Sequence, residues 1–355
     1  MIDLSAIRAN ARAIRARTGR PLLAVVKSDA YGHGMVPVAR ALAGLVEGFA
    51  VFAVWEGVRL RESGIKKPVL VLGPATENER REAGRNCITL SVSSLDGIRD
   101  AVRGPGGRME AHLKFDTGMG RLGVSHRDAV ECASLIARMG VRRLAGVWTH
   151  LSTASDPRFT ALQVARFDSA LLALVRAGIS WDLTHVGASE AVISAPRIAS
   201  RYGAVRVGLA LYGCTPGPKP GFPLRPAMSF STRVSVLREA LPGDTVSYGH
   251  TWRARRKTLL AVLPVGYSRG VNRLLSSRGS VLIRGRRAPI RGRVTMDLTV
   301  VDVTGIRGVR PGDEAVFVGR SGRAEIRAEE MAGLAGSLAY EVLCVAGGLN
   351  PREYR

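Results

Sequence analysis

Short apolar runs alternate with longer segments of helical period through the first part of the chain, and no other feature limits its possible folds as much. The runs are rich in Val and Leu, as buried strands are. Eight of them occur, at residues 22–26, 49–54, 69–72, 87–90, 110–115, 144–148, 183–186 and 204–207. Helices are predicted between them over residues 36–45, 95–103, 127–139 and 161–177. Eight such units in about 210 residues predict an α/β fold, a TIM-like (β/α)8 barrel, whose functional groups gather at the carboxyl ends of the strands.

The pattern changes after residues 215–226, which are rich in Pro and Gly. Short strands interrupted by Gly and Pro turns follow at residues 231–237, 259–262, 280–283, 298–302 and 314–318. The sequence therefore predicts a barrel domain over residues 1–223 and a mostly β domain over residues 224–355.

The charge of the chain raises the question of nucleic-acid binding. The sequence holds 52 Lys and Arg against 29 Asp and Glu, a formal net charge of +23. These basic residues are scattered, and no zinc-finger or RNA-binding signature accompanies them. We therefore expect no specific binding of nucleic acid.

Cysteine spacing and hydropathy exclude further classes. The four cysteines, at positions 87, 132, 214 and 344, show no paired spacing, which indicates neither a metal site nor a disulfide framework. No apolar run reaches the length of about 18 residues that a membrane span needs. The first twenty residues are rich in Arg but lack the apolar core of a secretory signal. We expect a cytoplasmic protein without a membrane segment or a metal.

The most specific signal lies at the end of the first predicted strand. Residues 24–34 are AVVKSDAYGHG, which places Lys27 at the carboxyl end of the strand and Tyr31 shortly after it. A lysine that ends a strand is by itself typical of a solvent-exposed side chain. The whole string, however, resembles the lysine motif of the alanine racemase family. Further segments similar to that family follow in its order, at residues 114–123, 149–150, 185–189, 205–209, 247–249, 266–267 and 295–297.

The resemblance implies racemisation of a small amino acid with pyridoxal 5'-phosphate as cofactor. Loss of the Cα proton leaves a carbanion, and this cofactor supplies the electron sink that stabilises it. By the resemblance, Lys27 holds the cofactor covalently and then acts as a base on one face of the substrate, with a pKa lowered by burial near cations. Tyr248 matches the second acid/base, on the opposite face. The family takes this tyrosine from the partner subunit of a head-to-tail homodimer with shared active sites.

The resemblance also implies which residues hold the cofactor and the substrate. Arg206 matches an arginine that faces the pyridine nitrogen, His185 the residue that orients it, and His150 a residue beside the ring. Since an arginine can only donate to that nitrogen, we expect a weaker electron sink and little transamination. The remaining matches are Tyr31, Ser189, Gly208 and Leu209 at the phosphate, Arg121 and the partner's Met296 at the substrate carboxylate, Tyr267 in the entry channel, and Lys114, which is carbamylated in some members.

Three positions depart from the family pattern. Ala188 replaces an Asn, Arg269 stands where an Asp is common, and Gly348 stands where some members have a pocket Tyr. The missing Tyr predicts a roomier pocket and turnover of an amino acid larger than alanine.

Alanine is the expected substrate, with D-alanine supplied for peptidoglycan, but other functions stay open at this point. A broad-range, serine or lysine racemase would share the same chemistry. An amino acid decarboxylase of the ornithine or diaminopimelate type needs no opposed tyrosine base and has different phosphate loops. A non-catalytic cofactor-binding protein of the small barrel family would lack the β domain.

Overall fold

Eight parallel strands form a nearly closed barrel in the computed structural model, which describes residues 1–101, 103–104, 107–217 and 220–355. The strands are β1 (Leu22–Val25), β2 (Gly48–Val51), β3 (Val69–Val71), β4 (Thr89–Val92), β5 (Arg108–Asp116), β6 (Arg143–Trp148), β7 (Ser180–His185) and β8 (Val205–Val207). Around the barrel β8 pairs with β1, and β1 to β7 follow in sequence order. A bridge between His185 and Ala204 brings β7 against β8. The predicted barrel is confirmed.

Helices follow the strands around the barrel. They are Leu4–Thr18, Met35–Leu42, Val54–Glu62, Glu77–Arg85, Leu95–Arg99, Ala129–Arg138, Pro157–Arg176, Ser189–Ser194 and Pro196–Ala199. Local sequence sets where they begin: the Asp156 side chain caps the helix that starts at Pro157 by accepting from backbone amides of its first turn. The helix predicted over residues 95–103 already ends at Arg99. Residue 102 of that prediction lies outside the described residues, as do residues 218–219 of the predicted domain boundary.

The first helix, Leu4–Thr18, has no counterpart among the predicted elements, because its many arginines obscure its apolar face. That face is buried. Asn10 lies on it, fully buried, and donates to the carbonyl oxygens of Leu211 at 2.9 Å and Arg225 at 2.8 Å. The Asn10 side-chain oxygen accepts from the amide of Arg225 at 2.7 Å. A fully bonded polar side chain thus fixes this helix to the segment by which the chain leaves the barrel.

The second half of the chain forms small antiparallel sheets, as expected for a mostly β domain. Its strands are Phe230–Arg233, Val236–Ala240, Thr245–Val246, Trp252–Arg253, Thr258–Leu263, Ser280–Ile283, Arg286–Pro289, Thr299–Asp302, Glu314–Ser321 and Ala324–Ile326. The first two correct the prediction of one strand over residues 231–237. The chain changes sheets between them, since the amide of Val234 donates to Asp313 at 2.8 Å and that of Ser235 to Val262 at 2.9 Å.

Two helices that the sequence did not predict, Ala328–Leu334 and Ala339–Gly348, end the second domain. The latter packs against the turn after β1 through glycines. A Cβ placed on Gly347 would lie 2.0 Å from the carbonyl oxygen of Gly32, and one on Gly32 would lie 2.4 Å from that of Leu343. The second domain therefore touches the segment that carries Lys27. Among the described residues no single helix is long and apolar enough to cross a membrane, although these two pass that test together across a bend of 108°.

Candidate active site

Lys27 lies directly after β1, at the start of a turn with unusual backbone geometry. Residues 28–31 are all left-handed, with φ between 52° and 57°, a region that residues other than glycine rarely occupy. Buried Glu56 holds the turn by accepting from the amides of Ser28 at 2.6 Å and Phe52 at 2.7 Å. These bonds stabilise strained backbone and fix the direction in which Lys27 leaves the strand.

The amine of Lys27 lies in a partly buried and positively charged environment. Its Nζ is 5.6 Å from the ring centroid of Phe52. Burial, followed by the charges of Arg121 and Arg206, lowers the pKa of Lys27 below its ordinary value. The neutral amine is therefore more abundant near neutral pH, and both nucleophilic and base chemistry require it.

Arg206, on β8, is buried and held by two histidines. Its Nη1 donates to Nδ1 of His185 at 2.8 Å, and its Nη2 donates to Nδ1 of His150 at 2.9 Å. The guanidinium carbon also lies 4.2 Å from the ring centroid of Trp148. Burial lowers the pKa of Arg206 to about 9, which leaves it a cation at neutral pH. Burial also lowers the pKa of each of the two histidines well below the ordinary value, so both are neutral acceptors.

Ser189, Tyr31 and Gly208 form a small polar recess beside this cluster. The Ser189 hydroxyl oxygen accepts from the amides of Gly208 at 3.3 Å and Ala210 at 3.2 Å. A Cβ placed on Gly208 would lie only 2.4 Å from the hydroxyl oxygen of Tyr31. Glycine is thus required for this approach, and Leu209 begins the helical turn that follows. Hydroxyls and backbone amides gathered in this way fit a phosphate group.

Asp116 organises the loop that carries Arg121. Its carboxylate accepts from the backbone amides of residues 118–121 at 2.8 to 3.2 Å. Burial alone would raise the pKa of Asp116, but these bonds outweigh it and lower the value. Lys114 lies on the preceding strand, with Nζ 4.6 Å from the ring centroid of Trp148. Burial, followed by the charges of Arg206 and Arg121, lowers the pKa of Lys114 to about 8.

The sequence-predicted residues of the second domain lie on exposed loops instead. Tyr248 is 73% exposed, Met296 55% and Tyr267 43%. The amide of Tyr267 donates to Thr295 at 3.0 Å, which joins two of these loops. In the described part of the chain, no side-chain hydrogen bond or ring contact links any of the three to Lys27 or Arg206. One chain therefore brings together the barrel residues but not Tyr248.

Three residues of this region were not singled out from the sequence: Glu56, His112 and Trp148. His112 lies two residues before Lys114 on β5, and this spacing places both side chains on one face of the strand, which was a usable signal. Trp148 ends β6, immediately before Thr149 and His150. Glu56 gave no signal, because a lone glutamate in a helical pattern is normally solvated.

A barrel that gathers a lysine, a buried arginine and an anion recess at the carboxyl ends of its strands, followed by a β domain, defines a two-domain barrel enzyme. Comparison with known proteins narrows this class to one family. The model for the N-terminal domain of alanine racemase matches residues 2–216, and the model for the C-terminal domain of alanine racemase matches residues 227–354. The chain belongs to the alanine racemase family.

Individual relatives agree over the full length of the chain. An alanine racemase of Symbiobacterium thermophilum is 40% identical, and the match covers 99% of this chain and 96% of the relative. The crystal structure of the alanine racemase from D-cycloserine-producing Streptomyces lavendulae matches with a TM-score of 0.89 at 35% identity, covering 100% of this chain and 96% of that one. The Bacillus anthracis alanine racemase with bound L-Ala-P matches with a TM-score of 0.86 at 32% identity, covering 97% and 91%.

Proposed function

We propose that this protein is an alanine racemase that interconverts L-alanine and D-alanine with pyridoxal 5'-phosphate. The observation that carries the proposal is the meeting of Lys27, the Arg206 cluster and the Ser189 recess at one end of the barrel of a chain from this family. The lysine supplies a reactive amine, the arginine a buried donor and the recess a phosphate site.

The buried residues fit the cofactor. Ser189, Tyr31 and the amides of Gly208 and Leu209 would hold its phosphate, and Arg206 would donate to its pyridine nitrogen. His150 would lie beside the ring and Lys27 would bind it covalently. When bound, the cofactor withdraws electrons from the substrate Cα, so that the Cα proton can leave.

Lys27 and Tyr248 would carry protons on opposite faces of the substrate. The lowered pKa of Lys27 suits it to take and return a proton near neutral pH. A phenol has an ordinary pKa of about 10, so a base role for the partner's Tyr248 requires nearby positive charge. Arg206 and Arg121 supply such charge at the barrel site. Arg121 and the backbone amide of the partner's Met296 would hold the substrate carboxylate, with Tyr267 in the entry channel.

The pattern of exposed apolar residues supports a head-to-tail homodimer. Phe52 and Trp55, beside Lys27 at the barrel end, are 48% and 58% exposed. The loops of the second domain expose Tyr248 and Met296 to a similar degree. Two copies that pair these surfaces reciprocally would cover both and complete two sites.

Mixing two inactive variants tests the shared site. A dimer of one Lys27→Ala chain and one Tyr248→Phe chain has one site with both proton carriers intact, if each site combines the two chains. Random mixing makes half of the dimers mixed, so we expect recovery of about a quarter of the native activity. Chains that supply both groups to their own site would recover none.

Incubation with L-alanine, followed by chiral separation of the products, tests the reaction itself. We expect D-alanine to accumulate until the enantiomers are equal, because their free energies are equal. A parallel panel with serine, lysine and other L-amino acids tests the broad-range alternative. Racemisation of another amino acid but not alanine, or release of carbon dioxide, would overturn the assignment.

Further assignments belong to the same proposal. The cofactor domain comprises residues 1–223 and the domain with the second base residues 224–355. D-alanine made in the cytoplasm would supply peptidoglycan synthesis. Lys114 would react with carbon dioxide to form a carbamate, and its pKa of about 8 supports this because the neutral amine is the reactive form.

A further inference from the structure

We propose that His112 is a positioning residue that accepts the N–H of His185 and, by holding that ring, fixes the orientation of Arg206. Its importance for turnover rests on the proposed function, whereas its geometry lies entirely within the barrel. Nδ1 of His112 lies 2.8 Å from Nε2 of His185, and Nδ1 of His185 accepts from Nη1 of Arg206 at 2.8 Å. The three side chains therefore form a continuous chain of hydrogen bonds from β5 to β8.

The arginine at one end of this chain decides where each proton lies. A guanidinium only donates, so His185 must accept at Nδ1. Burial lowers the pKa of His185 well below its ordinary value, so the ring is neutral and its single proton lies on Nε2. His185 donates that proton to Nδ1 of His112, which must be an acceptor. Burial lowers the pKa of His112 to about 4, so this nitrogen remains an acceptor at neutral pH.

The packing around the two histidines leaves little freedom for other arrangements. Gly146 on β6 is the register partner of His112. A Cβ placed on Gly146 would lie 2.6 Å from Nδ1 of His112, so a larger residue would displace the ring. Trp148 stacks on His185, with ring centroids 5.5 Å apart and planes inclined by 16°. With both rings held, His112 is placed to accept the N–H that Arg206 requires on Nε2 of His185.

Loss of the acceptor at position 112 would affect Arg206 indirectly, through His185. The N–H at Nε2 of His185 would be left unpaired in the barrel interior, which is unfavourable. His185 cannot relieve this by carrying its proton on Nδ1, because that N–H would face the N–H of Arg206, so we expect the ring to turn instead. A turned His185 ring would weaken one of the two histidine bonds that orient Arg206.

Two substitutions at position 112 distinguish the loss of the hydrogen-bond acceptor from a change in side-chain packing. His112→Asn keeps an acceptor oxygen near the position of Nδ1, and His112→Leu has similar size without one. NMR of the purified full-length protein with ¹⁵N-labelled histidine reports which ring nitrogen carries the proton, and the chain has only 6 histidines to assign. We expect the His185 proton on Nε2 in the native protein and in both variants, with the downfield Nε2–H shift of a hydrogen-bonded proton in the native protein and in His112→Asn but not in His112→Leu.

Kinetics supply a second readout that a purely structural role would not produce. We expect kcat for alanine to fall about tenfold in His112→Leu and by less than about threefold in His112→Asn, with similar thermal stability for both. A native His185 proton on Nδ1, or equal Nε2–H shifts and equal kcat in the two variants, would overturn the proposal. Should His112→Leu not fold, Gly146→Ala provides the same test, since its methyl group displaces the His112 ring.

The two readouts keep this proposal separate from the proposed function. The tautomer and the Nε2–H shift of His185 are measured without turnover, so they decide the role of His112 even in a protein that does not racemise alanine. Native racemase activity with the His185 proton on Nδ1 would leave the proposed function intact and overturn only this inference.

Discussion

The candidate site has two parts, the barrel end and the loops around Tyr248. Within a single chain, these two parts differ greatly in burial and in hydrogen bonding. Arg206 is 3% exposed and bonded to two histidines, whereas Tyr248 is 73% exposed. The barrel residues are oriented before any ligand arrives. If Tyr248 acts beside a second chain, as proposed, it looks like an ordinary surface residue within one chain, and burial alone would have missed half of the proposed site.

The largest effect is expected in the buried part. Lys27→Ala should lower kcat by about 10⁴-fold or more, because the enzyme loses both the covalent link to the cofactor and one proton carrier. The visible absorbance of the covalently held cofactor should disappear as well. Exposed Lys66→Ala is the control and should change neither. Normal turnover by the Lys27→Ala protein would remove Lys27 from the mechanism.

Tyr248→Phe tests the exposed part. We expect kcat to fall by about 10³-fold in both directions, because one proton carrier is lost. Cofactor content and thermal stability should stay unchanged, since the hydroxyl has no partner in the described part of the chain. Tyr354→Phe, at a tyrosine of the same domain that is 40% exposed, is the matched control. Full activity of Tyr248→Phe in both directions would show that the exposed loops hold no base.

Asp116→Ala removes the carboxylate that organises the Arg121 loop. We expect a loss of about 1–2 kcal/mol in the free energy of unfolding at pH 7 and a higher KM for alanine. Because the pKa of Asp116 is lowered in the folded protein, its contribution is complete above the ordinary pKa and is lost as the pH falls through the lowered one. The difference between native and variant protein in urea unfolding should therefore narrow below about pH 4. A gap that is independent of pH would contradict the role of the charge, and exposed Asp96→Ala serves as control.

The smallest effect concerns the helix that joins the two parts. Gly348→Tyr should lower the turnover of amino acids larger than alanine about tenfold relative to alanine itself, because some family members have a pocket tyrosine at this position and its ring would narrow the pocket. Gly333→Tyr, at an equally open position on the preceding helix, should leave that ratio unchanged. The measurement is kcat/KM for alanine and for a larger amino acid. An unaltered ratio in Gly348→Tyr would show that this glycine does not set the size of the pocket.

The barrel was predictable because buried parallel strands are continuous apolar runs, and each run was found. Several helices had no counterpart among the predicted elements, namely the arginine-rich first helix, those at residues 54–62 and 77–85, and the last two. The strand predicted over residues 231–237 was wrong as one unit because its break at residues 234–235 depends on bonds to Asp313 and Val262, which are distant in sequence.

In the candidate site, too, local sequence predicted some features, whereas others depend on contacts between residues distant in sequence. Lys27 and Arg206 could be placed at strand ends from the sequence. The left-handed turn at residues 28–31 could not, since it contains no glycine and depends on Glu56, a residue distant in sequence. The link from His112 to His185 likewise joins β5 to β7, and only the folded barrel brings these side chains together.

The backbone contact between Gly32 and Gly347 bears on how substrate reaches Lys27. Because these backbones pack in direct contact and Arg352 donates to the carbonyl oxygen of Gly32 at 3.1 Å, separation of the two domains of one chain would disturb the lysine turn. A hinge motion between the domains is therefore not expected to open the site to substrate. In the proposed homodimer, admission and release of the amino acid would instead follow small movements where one copy meets the other, so the tightness of that junction would limit turnover.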